Sequence, residues 1–140
     1  PYSLVRRAIE LDIVPFAIKH QIGIIVYSPL ERGLLTGKIT PGYQFPKNDH
    51  RASSSTFSSE NRHKVHKALE KIRPIAEKHH ATLSQIMINC TFHMPGITAA
   101  IVGARNAGQA IENAQAAQLN LSDLERRLSV NELENIQIAV

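Results

Sequence analysis

Two apolar runs, Ile22-Gly23-Ile24-Ile25-Val26-Tyr27 and Ile97-Thr98-Ala99-Ala100-Ile101-Val102, constrain the fold of this chain more than any other feature. A strand wetted on one face alternates apolar with polar residues, whereas a strand covered on both faces stays apolar throughout. Both runs are of the second kind. Each stops at a turn signal, Ser28-Pro29 after the first and Gly103 after the second. They predict an α/β fold with parallel strands over about 22–27 and 98–102.

The sequence around them reads as helix and loop. Leu4, Ala8, Leu11, Val14, Ala17 and Ile18 recur at helical spacing from Ser3 to His20, with Pro15 breaking the run or restarting a turn. The stretch 39–58 holds Pro41, Gly42, Pro46, Asn48 and a serine run from Ser53 to Ser55, which predicts a long mobile loop. A helix is expected from Glu60 to His80, bent at Pro74, and another from Thr82 to about Met94, opened by a Thr82 and Gln85 capping box. Asn106 with Gln109 opens the next, which runs to about Ala117. Ser122 with Glu125 and Ser129 with Glu132 mark two further starts.

Two strands, apolar on both faces and open at both edges, need further strands to cover them, and these are expected from elsewhere. The start, Pro1-Tyr2-Ser3-Leu4, is neither a signal peptide nor a Met initiator, so residues 1–140 read as part of something longer. The single Cys90 cannot pair within the chain, and no Cys and His cluster has zinc-finger spacing. No run reaches the roughly 18 apolar residues of a membrane span. A cytoplasmic protein without metal or membrane partner is the expectation. A net charge of +4 is too small to select an anionic partner, and the cations of the 60–80 helix lack the interleaved aromatics that stack bases, so no nucleic acid is expected.

In parallel α/β folds ligands bind beyond the C-terminal ends of the strands. After the first run comes YSPLERGLLTGK, residues 27–38, which offers an aromatic, a hydroxyl, two glycines and a lysine. Such a set could hold a flat ring and a phosphate chain. After the second comes VGARNAGQAIENAQA, residues 102–116. There Arg105 precedes a helix whose free N–H groups favour an anion, and Gln109 and Asn113 share a helix face. On general grounds Tyr27 would be packing, the loop cations solvated charges, and Gln109, Glu112 and Asn113 the polar side of an amphipathic helix.

The two motifs together, strand-YSPL-x-x-GLLTGK and later strand-GARN-x-x-Q-x-x-EN-x-x-A, are similar to the C-terminal portion of the aldo-keto reductases, over nearly the whole chain. Pro1-Tyr2-Ser3 resembles the end of that family's sixth barrel strand. The resemblance implies the C-terminal part of a TIM (β/α)8 barrel whose seventh strand ends at Tyr27 and whose eighth ends near Val102, with NADP(H) across its mouth. Tyr27 then looks like the aromatic that stacks on the nicotinamide, Ser28, Pro29, Leu30 and Gly33 like the loop along the pyrophosphate, and Lys38 and Arg51 like phosphate-facing cations. Gly103, Arg105, Gln109, Glu112 and Asn113 resemble the adenosine and 2′-phosphate grip.

The family's catalytic Asp, Tyr, Lys and His belong to the first four strands, so the resemblance assigns no catalytic residue to this chain. It implies a small carbonyl substrate, reduced with the help of an N-terminal barrel half. Two departures stand out: Cys90 occupies a helix position where tryptophan is frequent, and Pro41 to His50 makes the placement of Arg51 depend on a gap. The rival readings are a nucleotide-sensing regulatory subunit and an inactive remnant that pairs its strands with another copy of itself.

Overall fold

The two apolar runs pair in parallel, as β1 (Ile24–Tyr27) and β2 (Ile97–Ile101), in a computed structural model that describes residues 1–136 and 138. Both are shorter than the apolar runs that announce them. Ile24 lies opposite Ile97, but Ile25 lies opposite Ala99, so Thr98 is an extra residue that bulges from β2. Its hydroxyl takes up the Ile24 N–H at 3.0 Å, which gives the interrupted ladder a substitute acceptor. From there the register runs on to Tyr27 opposite Ile101.

Within the described residues the pair is covered on one face only, as expected of two apolar strands that need further strands to cover them. Val26 and Ile97 are buried with Tyr2 and Val14 in a small core, while Ile25 and Ile101 are 65% and 61% exposed. The apolar character of the runs is real. Helices cover one side of this pair, and the described residues put nothing over Ile25 and Ile101.

The single helix expected from Ser3 to His20 is instead broken into three. A tight turn joins Ser3 and Arg6, a 3-10 turn covers Ala8–Glu10, and α1 spans Ile13–Lys19 with the Asp12 carboxylate accepting from the Ile13 N–H. Pro15 falls in the first turn of α1, where a missing N–H costs nothing.

Helix α2 (Ser59–Lys78) starts under the Ser58 hydroxyl and continues through Pro74. A proline inside a helix costs about 3 kcal/mol, which the buried stripe of Val65, Leu69, Ile72 and Ala76 offsets. Its cations are largely occupied within the fold: Lys71 pairs with Glu132, Arg73 with Glu70, and Lys78 with Glu125.

Helix α3 (Leu83–Phe92) carries the expected capping box of Thr82 and Gln85 and is buried from Leu83 through Thr91. Asn89 within it donates to the carbonyls of Ala116 and Leu119 at 2.9 and 3.1 Å, clamping the turn that follows α4 (Ala107–Gln115). Helix α5 (Asp123–Glu134) opens on the Ser122 and Glu125 capping box. No second helix begins at Ser129; that hydroxyl is buried inside α5 and donates to the Glu125 carbonyl. The end of the expected terminal helical segment, at Gln137, Ala139 and Val140, lies outside the described residues. The main core gathers Leu4, Leu34, Leu35, Phe57, Leu69 and Ile86, with further side chains of α2, α3 and α5.

Candidate cofactor site at the strand tips

A parallel pair sends both of its C-terminal ends the same way, so the segments after Tyr27 and after Ile101 open from one end of the sheet. The Tyr27 ring stands there 54% exposed, an unusual position for a large aromatic at the tip of an apolar strand. Tyr2 brings a third segment to the same place, its N–H donating to the Tyr27 carbonyl at 3.0 Å. That is the position a preceding barrel strand would take, in keeping with the likeness of Pro1 to Ser3.

Beyond Tyr27 the backbone turns left-handed repeatedly, at Ser28 (φ 63°), Glu31 (φ 45°), Arg32 (φ 53°) and Gly33 (φ 99°). Glycine suits this region, whereas each L side chain there costs of order 1 kcal/mol or more. The strain is held by Glu31, which is buried and accepts from the Ser3 hydroxyl at 3.0 Å and from Arg6 at 2.8 and 3.3 Å. Pro29 is buried and Leu30 half-buried against the main core, so these two anchor the loop. Sequence reasoning missed the Ser3, Arg6 and Glu31 cluster, because no local spacing links residues that far apart.

The stretch 39–58 is ordered by contacts rather than left as a loose loop. It forms 3-10 turns at His50–Ser53 and Ser55–Phe57, and Phe45 packs edge-on against both Tyr43 and Phe57. Arg51 lies within this cluster, 5.4 Å from the Phe45 ring centroid and 6.0 Å from that of Phe57. Its guanidinium grips both oxygens of Asp49 and donates to the Arg32 carbonyl at 3.1 Å. The same pair holds the Asp49 carboxyl down at about 2, through the Arg51 side chain first and the Arg51 N–H second. A Cβ placed on Gly33 would stand 3.5 Å from Nη1 of Arg51, so the fold brings Arg51 directly against the loop that follows β1. Lys38 is exposed at the far end of that loop and has no ion pair among the described residues.

At the second tip the side chains shape the backbone. Asn106 caps α4 by accepting from the Gln109 N–H, Gln109 accepts the Arg105 N–H at 2.8 Å, and Asn113 donates to the Gly103 carbonyl at 3.2 Å. Glu112 is half-buried and receives the Thr82 hydroxyl at 2.9 Å, which ties α4 to the start of α3. A Cβ added to Gly103 would meet nothing within 4 Å, so that side of its backbone is open to a ligand. Arg105 is exposed, and its guanidinium has no hydrogen bond or ion pair among the described residues.

The arrangement gathers, at one end of one sheet, an exposed phenol ring, a left-handed turn from Ser28 to Gly33, a fixed guanidinium and an unpaired one at a helix start. Those are the groups an extended dinucleotide engages. The profile of the aldo/keto reductase family matches residues 1–131. The chain belongs to the aldo/keto reductase family.

Aldo/keto reductases are oxidoreductases that work with nicotinamide cofactors, and several resemble this chain. It is 34% identical over 127 residues to the NADH-specific methylglyoxal reductase of Escherichia coli, covering 91% of this chain and 38% of that protein. It is 32% identical over 117 residues to a probable voltage-gated potassium channel subunit beta of Arabidopsis thaliana, covering 81% and 35%. Among solved structures, a glycerol dehydrogenase of Gluconobacter oxydans superposes with a TM-score of 0.82 at 31% identity, over 95% of this chain and 40% of that one. The chain thus spans little more than a third of the length of the relatives it matches. The likeness identifies the parallel pair and its helices with part of an aldo/keto reductase barrel.

Proposed function

We propose that residues 1–140 are the cofactor-gripping C-terminal part of a reductase that turns a small aldehyde or ketone into an alcohol with NADP(H). The observation that carries this reading is the parallel register, which sets Tyr27 and the Gly103 to Arg105 segment at the same end of the sheet. When bound, the cofactor supplies hydride. The chain's own part is to orient: Tyr27 offers its ring to the nicotinamide, while Ser28 and Gly33, seated on Pro29 and Leu30, line the pyrophosphate. Arg51 and Lys38 face the phosphates. Arg105 takes the 2′-phosphate, with Gln109, Glu112 and Asn113 fixing the loop and helix that present it.

The NADP(H) preference is supported by the unpaired Arg105 guanidinium, although the Escherichia coli relative is named NADH-specific. The proton donor and the rest of the carbonyl pocket are assigned to further barrel strands outside these residues. A cytoplasmic setting suits a phosphorylated cofactor and the lone buried thiol of Cys90. Titration with NADPH and NADH tests the reading, with selective NADPH binding expected and an absence of binding to either refuting it.

A second reading, a regulatory subunit that senses NADP(H) without turnover, is favoured by the likeness to the Arabidopsis thaliana channel subunit. A carbonyl-reduction assay on the full gene product separates the two.

A further inference from the structure

A cavity of about 570 Å³ opens between the C-terminal end of α3 and the side of α5. It lies far from the strand tips. Met94 and Pro95, in its wall, precede Ile97, the first residue of β2, whereas the cofactor segments follow the last. Five strand residues separate those ends by on the order of 13 Å. None of the residues assigned above lines it.

Its lining has a definite chemistry. The thiol of Cys90 and the side chains of Met94 and Val130 make an apolar interior. Burial pushes the Cys90 thiol up to about 12, so it stays neutral and contributes a small apolar surface rather than a nucleophile. Around this interior stand Arg126, Arg127 and His93 against a single carboxylate, Asp123. Arg126 is paired with Asp123 at 2.7 Å, and Arg127 has no ion pair among the described residues. Asp123 is held below its ordinary value by Arg126 first, with Arg127 and His93 adding to it, so the surplus charge at the rim is positive.

An apolar interior with a few converging polar groups is the usual form of a small-molecule site, and the volume falls within the usual range of roughly 300–1,000 Å³. The surplus positive charge favours an anionic ligand over a cationic one. The one aromatic ring in the lining is the His93 imidazole, and no glycine turn is present there to cradle a diphosphate. We infer that this cavity binds a small organic monoanion, an aryl or alkyl carboxylate, with its apolar body against Cys90, Met94 and Val130 and its carboxylate on Arg127.

The test is a titration of the isotope-labelled protein with benzoate, followed by NMR shifts and by calorimetry, with benzamide and benzylamine as the neutral and cationic counterparts. Benzoate should bind saturably and shift the amides of residues 90–95 and 123–131, with benzamide weaker by about tenfold, the worth of one charge-assisted bond, and benzylamine not binding. Arg127→Glu, an exposed change that leaves the fold intact, should weaken benzoate by at least that factor. Cys90→Trp should fill the cavity and abolish binding; if that protein does not fold, Arg127→Glu decides alone. Shifts at Tyr27 or Arg105 instead, an affinity indifferent to Arg127→Glu, or no saturable binding overturns the assignment.

Discussion

Arg6 and Glu31 stand 25 positions apart in the chain, yet the guanidinium holds both carboxylate oxygens, at 2.8 and 3.3 Å. Turn hydrogen bonds from Glu31 to Ser28 and from Gly33 to Leu30 run along the left-handed backbone, and this pair with the Ser3 hydroxyl anchors it to the N-terminal segment. Glu31→Gln should cost about 2 kcal/mol, at the low end for a broken buried pair because Arg6 keeps 22% of its side chain in water. Urea unfolding measures the loss, and hydrogen exchange should rise first in residues 28–37.

The guanidinium of Arg105 is free to meet a ligand. Arg105→Ala should weaken NADPH by roughly 1.5–3 kcal/mol, the worth of a charge-assisted bond, and NADH much less. Fluorescence titration with both cofactors reads the difference, and equal losses would remove the 2′-phosphate from its role.

Two carboxyl groups make the protein acid-sensitive. Asp49 titrates at about 2 when folded against 3.8 ordinarily, and Glu125 is also lowered, by Lys78 first and then by the Ser122 N–H and His79. A depressed folded value means the stabilisation is complete above the ordinary value and disappears as the pH falls toward the folded one. Stability should therefore decline from about pH 4 downward. In Asp49→Asn the slope between pH 4 and 2 should flatten, as unfolding curves at stepped pH would record.

Asn89 serves two carbonyls, those of Ala116 and Leu119, from a fully buried position. Asn89→Leu fits the volume but leaves both acceptors dry, so a loss of about 2–4 kcal/mol is expected. The thermal midpoint should drop, and amide exchange should quicken at residues 116–121.

Much of this was legible in the sequence. The parallel strands and both capping boxes follow from local patterns, because apolar runs, caps and turns are written within a few residues of one another. The segment from Ser3 to His20 misled because its apolar spacing fits a helix, while the contacts of Ser3 and Arg6 with Glu31 fix a turn there. The stretch 39–58 reads as loose by composition. Its order comes from Phe45 and Phe57 closing on Arg51, a tertiary event with no short-range signature. Asp49, two residues before Arg51, was the one visible hint. Apolar strands likewise announce that they are to be covered but not by what, and among the described residues nothing covers Ile25 and Ile101.

The extra residue at Thr98 has a bearing on the distance between the two halves of the cofactor grip. Without it, Tyr27 would face Ala100, and everything after β2 would be advanced by one step of about 3.3 Å relative to the phenol ring. In the proposed reading, the gauge between nicotinamide and adenosine ends is thus set at the opposite end of the sheet, beside a threonine hydroxyl that no dinucleotide would touch.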